Sequence, residues 1–313
     1  MLKKIKEIIN EGKRFLITAH IDPDGDAIGS TFSLYWALNS MGKQSVVYLK
    51  DEVPYKYKFL PQPSHLTRQF PDERFDAVFV LDCGSLFRVG DGHERLKEIG
   101  PLINIDHHKT NEPFGAVNVV DETACCTAEI LYFLYEFLNL FITPEMATNI
   151  YTAILTDTGS FRFENTNSNA FIISEKMLMA GVKPAYVSGM AYNSHPKERF
   201  KLLGLVLSGL ETFNHGKVAM AYLTEDMFKE SHAGRELSDG FVEHIKEIRG
   251  LEVAVLFRQV AKGYKISMRS KGVVDVARIC SLFGGGGHKN AAGCIIEGDL
   301  ETAKKRIKEA LEL

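Results

Sequence analysis

Residues 16–30 read LITAHIDPDGDAIGS and place three side chains that can bind a cation, His20, Asp24 and Asp26, directly after an apolar run. A carboxylate cluster without a nearby cation raises its own pKa values and costs stability, so the stretch indicates either a metal site or a solvated loop. RFLITAH predicts a strand, and the DAIGSTFSLYWALNSMG that follows predicts a helix closed by Gly42.

The chain beyond this stretch repeats the pattern. QSVVYLK, FDAVFVLD and PLINID are short β-branched runs that each end at a polar or acidic residue. Strands of this composition, buried on both faces, belong to a parallel sheet covered by helices. We therefore predict an α/β fold with an N-terminal parallel-sheet domain over residues 1–185.

The second half of the chain predicts a different arrangement. The pattern is helical after VNVVD, and strands return from about residue 216 as KVAMAYL, LEVAVLFRQV and GYKISMRS. A helix, the stretch GGGGH, a short strand and an amphipathic C-terminal helix follow. We predict a smaller C-terminal α+β domain over residues 216–313, joined to the first by a helical connector at residues 186–215.

Charge and cysteine content narrow the class of function. A chain of 313 residues with a formal net charge of −3 lacks the basic face that long duplex DNA requires, whereas a short anionic substrate remains compatible. The five cysteines form no CxxC pair, which predicts reduced cysteines rather than a disulfide framework or a zinc site. No signal-peptide core or membrane-spanning run is evident, so we expect a cytoplasmic protein without membrane attachment.

More potential metal ligands stand at the ends of predicted elements. Asp82 ends FDAVFVLD, Asp106 ends PLINID and is followed by His107 and His108, and Asp157 lies near the end of an apolar helical run. Open α/β sheets bind ligands at the carboxyl ends of their strands, and aspartate with imidazole suits Mn²⁺ or Mg²⁺ better than zinc alone. Two divalent cations about 3.5 to 4 Å apart would balance the carboxylates and activate water for attack on phosphorus.

Helix capping offers a simpler explanation of individual aspartates. Asp26 could cap the amino terminus of its own helix, and Asp24 with Gly25 could form an ordinary turn. The recurrence of acidic residues at successive element ends favours the metal site.

The stretch GGGGH predicts a second functional feature. Glycines let the backbone approach a ligand closely and turn several N–H groups toward an anion, and arginine suits bidentate contact with phosphate. A flexible linker is the alternative, but the stretch continues directly into NAAGCIIE, which is typical of packed structure. The predicted substrate-binding residues are Arg269, Ser270, Gly285, Gly286, Gly287 and His288.

HIDPDGDAIGS, LDCGS, DHH and LTDTGSFRF resemble, in this order, the four motifs of the DHH phosphoesterase family. MRSKGVVDVARICSLFGGGGHKNAAGC is similar to the C-terminal domain associated with that family, in the version carried by bifunctional oligoribonucleases and 3′-phosphoadenosine 5′-phosphate phosphatases. The resemblance covers nearly the whole chain. It implies one cation on His20 and Asp24, another on Asp26, His107 and Asp157, and Asp82 as the bridge.

The same resemblance implies roles for the remaining residues of the DHH motif. Asp106 is expected to orient His107, as metal-bound imidazoles usually require, and His108 is expected to face the substrate phosphate. The predicted catalytic residues are thus Asp82, Asp106 and His108, and the predicted cofactor is a pair of divalent cations, Mn²⁺ in the first place and Mg²⁺ in the second.

These features predict a metal-dependent hydrolase of short single-stranded RNA or DNA, about two to five nucleotides long, and of nucleoside bisphosphates such as 3′-phosphoadenosine 5′-phosphate. A cyclic or linear dinucleotide phosphodiesterase, acting on c-di-AMP or pApA, is the alternative. A pyrophosphatase of the superfamily would lack GGGGH, a RecJ-type exonuclease would need a basic track, and a nucleotide-binding regulatory module would not need the full set of metal ligands. A homodimer is a possible assembly.

Overall fold

The computed structural model describes residues 1–311, apart from the side chain of His288, and contains two compact units. The first unit is Met1–Ser194 and the second begins at His195. Each unit has its own sheet and its own apolar core. The predicted combination of a parallel-sheet domain with a smaller α+β domain is therefore confirmed.

The predicted helical connector at residues 186–215 is divided between the two units. Its first helix, Pro184–Tyr192, belongs to the first unit. Its second helix, Lys197–Ser208, belongs to the second unit, where the guanidinium of Arg199 lies 4.8 Å over the ring of Phe241.

Six parallel strands form the sheet of the first unit: β1 (Arg14–Thr18), β2 (Gln44–Tyr48), β3 (Leu66–Thr67), β4 (Ala77–Leu81), β5 (Leu102–Asp106) and β6 (Val117–Val120). Their order in the sheet is β3-β2-β1-β4-β5-β6. The four strands predicted from apolar runs, β1, β2, β4 and β5, form its centre. The helices of this unit are α1 (Leu2–Glu11), α2 (Gly25–Ser40), α3 (Leu96–Ile99), α4 (Thr127–Phe137), α5 (Pro144–Asp157), α6 (Ser168–Met179) and α7 (Pro184–Tyr192).

Alternate side chains of the central strands are buried on opposite faces of this sheet. Phe15 and Ile17 of β1 belong to the larger core, which includes residues of α1, α2, α4, α5 and α6. Leu16, between them, belongs to a smaller cluster with residues of α3 on the other face. Because both faces are buried, the central strands appear in the sequence as unbroken apolar runs.

Two glycines of α2 let this helix lie close to α5, one against its backbone and one against a side chain. A Cβ atom at Gly29 would lie 2.5 Å from the carbonyl oxygen of Asn149, and one at Gly25 would collide with the side chain of Thr156. Only glycine permits such an approach. The contact fixes the first turns of α2 against α5, and both helices carry a candidate metal ligand.

Gly29→Ala is expected to destabilise the protein by about 1 to 3 kcal/mol, because the added methyl group must push α2 away from the backbone of α5. The control is Gly189→Ala in α7, where an added Cβ atom meets nothing within 4 Å and a gain of up to about 1 kcal/mol is expected. Denaturant unfolding measures both effects, and unchanged stability of Gly29→Ala would contradict the close contact.

The second unit contains a mixed sheet with the strands β7 (Glu211–Phe213), β8 (Val218–Leu223), β9 (Val253–Val260), β10 (Gly263–Ser270), β11 (Gly286–His288) and β12 (Ala291–Glu297). Their order is β11-β12-β10-β9-β8-β7, with β8 and β9 parallel and the other neighbours antiparallel. The helices of this unit are α8 (Lys197–Ser208), α9 (Glu225–Ser231), α10 (Phe241–Lys246), α11 (Val276–Ser281) and α12 (Leu300–Leu311).

The structure also shows the state of the cysteines and the character of the helices. The cysteines, Cys83, Cys125, Cys126, Cys280 and Cys294, are all buried and form no disulfide. Among residues 1–311, no helix combines the length and the apolar character that crossing a membrane requires.

Candidate metal centre

The strand order places the carboxyl ends of β1, β4 and β5 side by side. β1 pairs in parallel with β4, and β4 pairs in parallel with β5. His20 lies just beyond β1, Asp82 just beyond β4 and His107 just beyond β5. The structure thus brings three of the candidate ligands together at the edge where open sheets place their ligand crevice.

Asp82 lies at the centre of this cluster. Its Oδ2 is 3.5 Å from Nε2 of His20, and its Oδ1 is 3.6 Å from Nε2 of His107 and 3.7 Å from Nδ1 of His108. Although burial opposes its charge, the three imidazoles hold the pKa of Asp82 below its usual range. Its φ of +53° is unusual for a residue other than glycine and costs about 1 to 3 kcal/mol, which the surrounding structure must offset.

Two groups of potential ligand atoms meet at Asp82. One consists of Asp82, His20 and Asp24, and the other of Asp82, His107 and His108; within each, the ligand atoms lie within 4.8 Å of one another. Nε2 of His107 also lies 3.9 Å from Oδ2 of Asp26 and 3.8 Å from Oδ2 of Asp157. The cluster therefore contains all six side chains that were predicted to hold metal: His20, Asp24, Asp26, Asp82, His107 and Asp157.

The spacing of these side chains fits divalent cations. The nitrogen–oxygen distances of 3.5 to 3.9 Å between the imidazoles and the carboxylates exceed those of hydrogen bonds, although the groups face one another in a cluster that is largely buried. Carboxylate oxygens and imidazole nitrogens together form a donor set for hard and borderline divalent ions.

The charges of the cluster shift the pKa values of its members. Burial disfavours the charged form of His20, but the carboxylates of Asp82 and Asp24 outweigh burial and raise its pKa to about 9. The pKa of His107 is likewise about 9, because neighbouring carboxylates outweigh burial. Burial and the charge of Asp82 raise the pKa of Asp26 to about 7. A cation would displace the protons held by these groups, so its affinity is expected to rise with pH.

Asp24 and Asp26 differ in their local hydrogen bonds. Asp24 caps α2 by accepting the amides of Asp26 at 3.0 Å and Ala27 at 3.1 Å. Asp26 instead accepts the amides of Thr127 at 2.6 Å and Ala128 at 3.1 Å, which begin α4. The explanation that Asp26 caps its own helix is therefore wrong. The positive end of the α4 dipole stabilises the charge of this carboxylate instead.

The expectation that Asp106 orients the ring of His107 is also wrong. Oδ1 of Asp106 lies 2.6 Å from Nδ1 of His108, and its Oδ2 accepts Nδ2 of Asn111 at 2.6 Å. Its bond to His107 is to the main-chain amide, at 2.9 Å, whereas the ring nitrogen Nδ1 lies 3.4 Å from the carbonyl oxygen of Ala124. Alternate residues of an extended segment share a side, which pairs position 106 with position 108.

Sequence analysis missed the asparagines that support Asp106. Nδ2 of Asn104 donates to Oδ1 of Asn111 at 2.9 Å, which leaves the amide group of Asn111 directed at Asp106. Asn104 lies two residues before Asp106 in β5 and is fully buried. A polar residue inside an otherwise apolar strand was the available signal.

Asp106→Asn is expected to leave the number of bound Mn²⁺ ions unchanged and to lower kcat by about 10- to 100-fold, because a neutral amide cannot accept hydrogen bonds on both sides as the carboxylate does. Metal content after gel filtration and kcat on an activated aryl phosphodiester provide the two measurements. A loss of metal would instead place Asp106 among the ligands.

Asp157 ends α5 and is followed by a turn of left-handed residues. Gly159, Ser160 and Phe161 have φ values of +55°, +61° and +62°, which costs about 1 to 2 kcal/mol for each residue other than glycine. The chain then returns, and Nδ2 of Asn165 donates to Oδ2 of Asp157 at 3.0 Å. Burial raises the pKa of Asp157 well above its ordinary value. The turn after α5 therefore brings a hydrogen-bond donor to this candidate ligand.

Gly286 and Gly287 of GGGGH lie in β11, the first strand of a hairpin with β12, rather than in an open loop. Cβ atoms at Gly285 and Gly287 would collide with the backbone of β12, and Gly287 also has a φ of +145°. Hairpin packing therefore explains these two glycines. A Cβ atom at Gly286 would meet nothing within 4 Å, so packing does not explain this glycine. The close approach of a ligand to Gly286 stays a prediction. The side chain of His288 lies outside the described part of the structure.

Arg269 and Ser270 are both engaged within the second unit. Nε of Arg269 donates to Glu243 and its Nη1 to the adjacent main chain. The hydroxyl of Ser270 is buried, lies 3.3 Å from a carboxylate oxygen of Glu252 and accepts the amide of Gly272 at 3.0 Å. Ser270 was predicted to contact the substrate. Its hydroxyl lies inside a turn instead, where the residues that follow it cover it.

A parallel sheet with aspartates and imidazoles at its carboxyl edge points to a phosphoesterase that uses divalent metal. The chain belongs to the DHH family: the family's N-terminal domain matches residues 14–154, and the DHHA1 domain matches residues 215–313.

Known relatives span nearly the whole chain. The bifunctional oligoribonuclease and PAP phosphatase NrnA of Thermus thermophilus is 37% identical over 99% of this chain and 93% of its own length. An exopolyphosphatase-related protein from Bacteroides fragilis has a TM-score of 0.94 with 28% identity and covers 99% of this chain and 95% of its own. RecJ of Thermus thermophilus, solved in complex with Mn²⁺, shares the fold with a TM-score of 0.57 and 16% identity over all of this chain and 54% of RecJ.

Proposed function

We propose that this protein hydrolyses short oligonucleotides, about two to five nucleotides long, to mononucleotides and dephosphorylates 3′-phosphoadenosine 5′-phosphate. The observation that carries the proposal is the position of Asp82, whose two oxygens face different imidazoles in a buried acidic cluster. The relative from Thermus thermophilus that is 37% identical to this chain is named for both activities.

Two divalent cations would occupy the cluster. Mn²⁺ is the proposed ion, with Mg²⁺ as the alternative, because imidazole accompanies carboxylate in the donor set; RecJ, which shares the fold, has been solved with each of these ions. Such cations offset the charge of a phosphate and make a water molecule more acidic. The proposed ligands are His20 and Asp24 for one cation, Asp26, His107 and Asp157 for the other, and Asp82 for both.

His108 is the proposed contact for the substrate phosphate. Its Nδ1 lies 2.6 Å from Asp106, and that carboxylate is itself held by Asn111, so the orientation of the ring is fixed. A carboxylate at Nδ1 keeps a proton on that nitrogen and favours the charged form of the imidazole. The pKa of His108 is raised because the neighbouring carboxylates outweigh burial. A positively charged ring can stabilise the charge that develops on a phosphate oxygen.

The second unit is proposed to recognise the nucleotide. Glu243 holds Nε of Arg269, which orders the guanidinium and leaves its Nη2 side for a phosphate oxygen. The open position at Gly286 permits a phosphate to approach the backbone. His288 retains its predicted role as a further donor. The unpaired, buried cysteines support the proposed cytoplasmic location, and a homodimer remains a prediction.

A substrate panel with Mn²⁺ tests the function. It comprises 3′-phosphoadenosine 5′-phosphate, pApA, c-di-AMP, a labelled five-mer, a long single strand and pyrophosphate. We expect turnover of the bisphosphate, pApA and the five-mer, and little turnover of the long strand. Selective hydrolysis of c-di-AMP and pApA would instead indicate a dinucleotide phosphodiesterase, and turnover of pyrophosphate alone would overturn the proposal.

In the same assay, Asp82→Ala is expected to abolish turnover at saturating Mn²⁺, because two cations without a carboxylate between them repel each other unscreened. Asp226→Ala is the matched control, since that side chain is 90% exposed in the second unit. Rates near wild type for Asp82→Ala would exclude the two-cation site.

Gly286→Ala is expected to raise KM for 3′-phosphoadenosine 5′-phosphate and pApA with little change in kcat, because the methyl group keeps the phosphate from the backbone in ground and transition states alike. Gly204→Ala, also at a position where an added Cβ atom meets nothing within 4 Å, is the control and should leave KM unchanged. An unchanged KM for Gly286→Ala would exclude the phosphate contact at this position.

A further inference from the structure

The first residue of α4 contacts two of the carboxylates that we assign to the cations. Thr127 is fully buried. Its main-chain amide donates to Oδ2 of Asp26 at 2.6 Å, and its hydroxyl donates to Oδ1 of Asp82 at 3.1 Å. A residue that is distant in sequence from both aspartates therefore links the ligand proposed for one cation to the ligand proposed for both.

The position of Thr127 in its helix directs the hydroxyl toward the site. Inside a helix, threonine commonly donates to the carbonyl group four residues earlier, as Thr152 does to Thr148 at 2.8 Å in α5. Thr127 begins α4, so no preceding helical turn offers it such a carbonyl group. Its branched β-carbon also restricts rotation of the side chain. The hydroxyl is therefore directed at Asp82.

The hydroxyl bond distinguishes the two oxygens of Asp82. Oδ1 accepts from Thr127 and lies 3.6 Å from Nε2 of His107, whereas Oδ2 lies 3.5 Å from Nε2 of His20. Rotation of the carboxylate would break the bond to Oδ1. The donor also offsets part of the repulsion between Asp82 and the neighbouring carboxylate of Asp26, so the orientation is stabilised before any cation arrives.

We propose that Thr127 is a positioning residue whose hydroxyl holds Asp82 in the orientation required to bind two cations as a pair. The inference rests on the two-cation site of the proposed function and adds a residue that is neither a metal ligand nor a substrate contact. The amide bond to Asp26 is a main-chain contact, which substitutions of the Thr127 side chain leave in place. The effect of the hydroxyl can therefore be measured separately.

Mn²⁺ titration followed by electron paramagnetic resonance tests the inference without relying on activity. Thr127→Val preserves the shape and removes the hydroxyl, Thr127→Ser restores a hydroxyl, and Thr152→Val removes a buried helical hydroxyl elsewhere. We expect wild type, Thr127→Ser and Thr152→Val to form an exchange-coupled Mn²⁺ pair. Thr127→Val should bind the second equivalent about 10- to 100-fold more weakly and show mainly isolated ions.

A Thr127→Val variant with wild-type affinity for both equivalents and the coupled spectrum would overturn the inference. Should that variant fail to fold, Thr127→Ala is compared with Thr127→Ser, and equal pairing by these two would overturn it as well. A wild-type protein that never forms a coupled pair would refute the two-cation site and the inference together. A wild-type protein that pairs Mn²⁺ but hydrolyses none of the panel would refute only the proposed substrates.

Discussion

The buried negative charge of Asp82 is the constraint on which the rest of the first unit depends. Removing a carboxylate from water is costly unless opposite charges or hydrogen-bond donors compensate, and this side chain is only 2% exposed. His20, His107, His108 and the hydroxyl of Thr127 supply that compensation. The ends of β1 and β5 and the beginning of α4 must therefore keep their positions for the charge to be tolerated.

The central strands of the first unit could be predicted from the sequence because burial on both faces produces unbroken apolar runs. β3 could not be predicted. It has two residues, too few for an alternating pattern to become visible, and it depends on its neighbours for the rest of its contacts. The hairpin at Gly286–His288 was also missed, because glycine has no side chain that indicates a strand.

The candidate ligands could be identified from the sequence because each follows an apolar run, whereas their partners could not. The contact of Asp26 with α4 joins residues far apart in the chain, and no local pattern specifies it. Asp106 contacts the ring of His108 rather than that of His107, and this depends on the direction of the backbone after β5. Gly285 and Gly286 are the same type of residue, although an added Cβ atom would collide with β12 at the first and would meet nothing within 4 Å at the second.

The backbone contact of α2 with α5 at Gly29 also determines when the site can form. The ligands assigned to the cations extend along the chain from His20 to Asp157, so a growing polypeptide cannot assemble them until α5 has been synthesised and has packed on α2. Cations would then bind the folded chain and stabilise it by mass action. A protein made in a metal-poor cell would fold but unfold more often, so its lifetime would depend on the supply of metal.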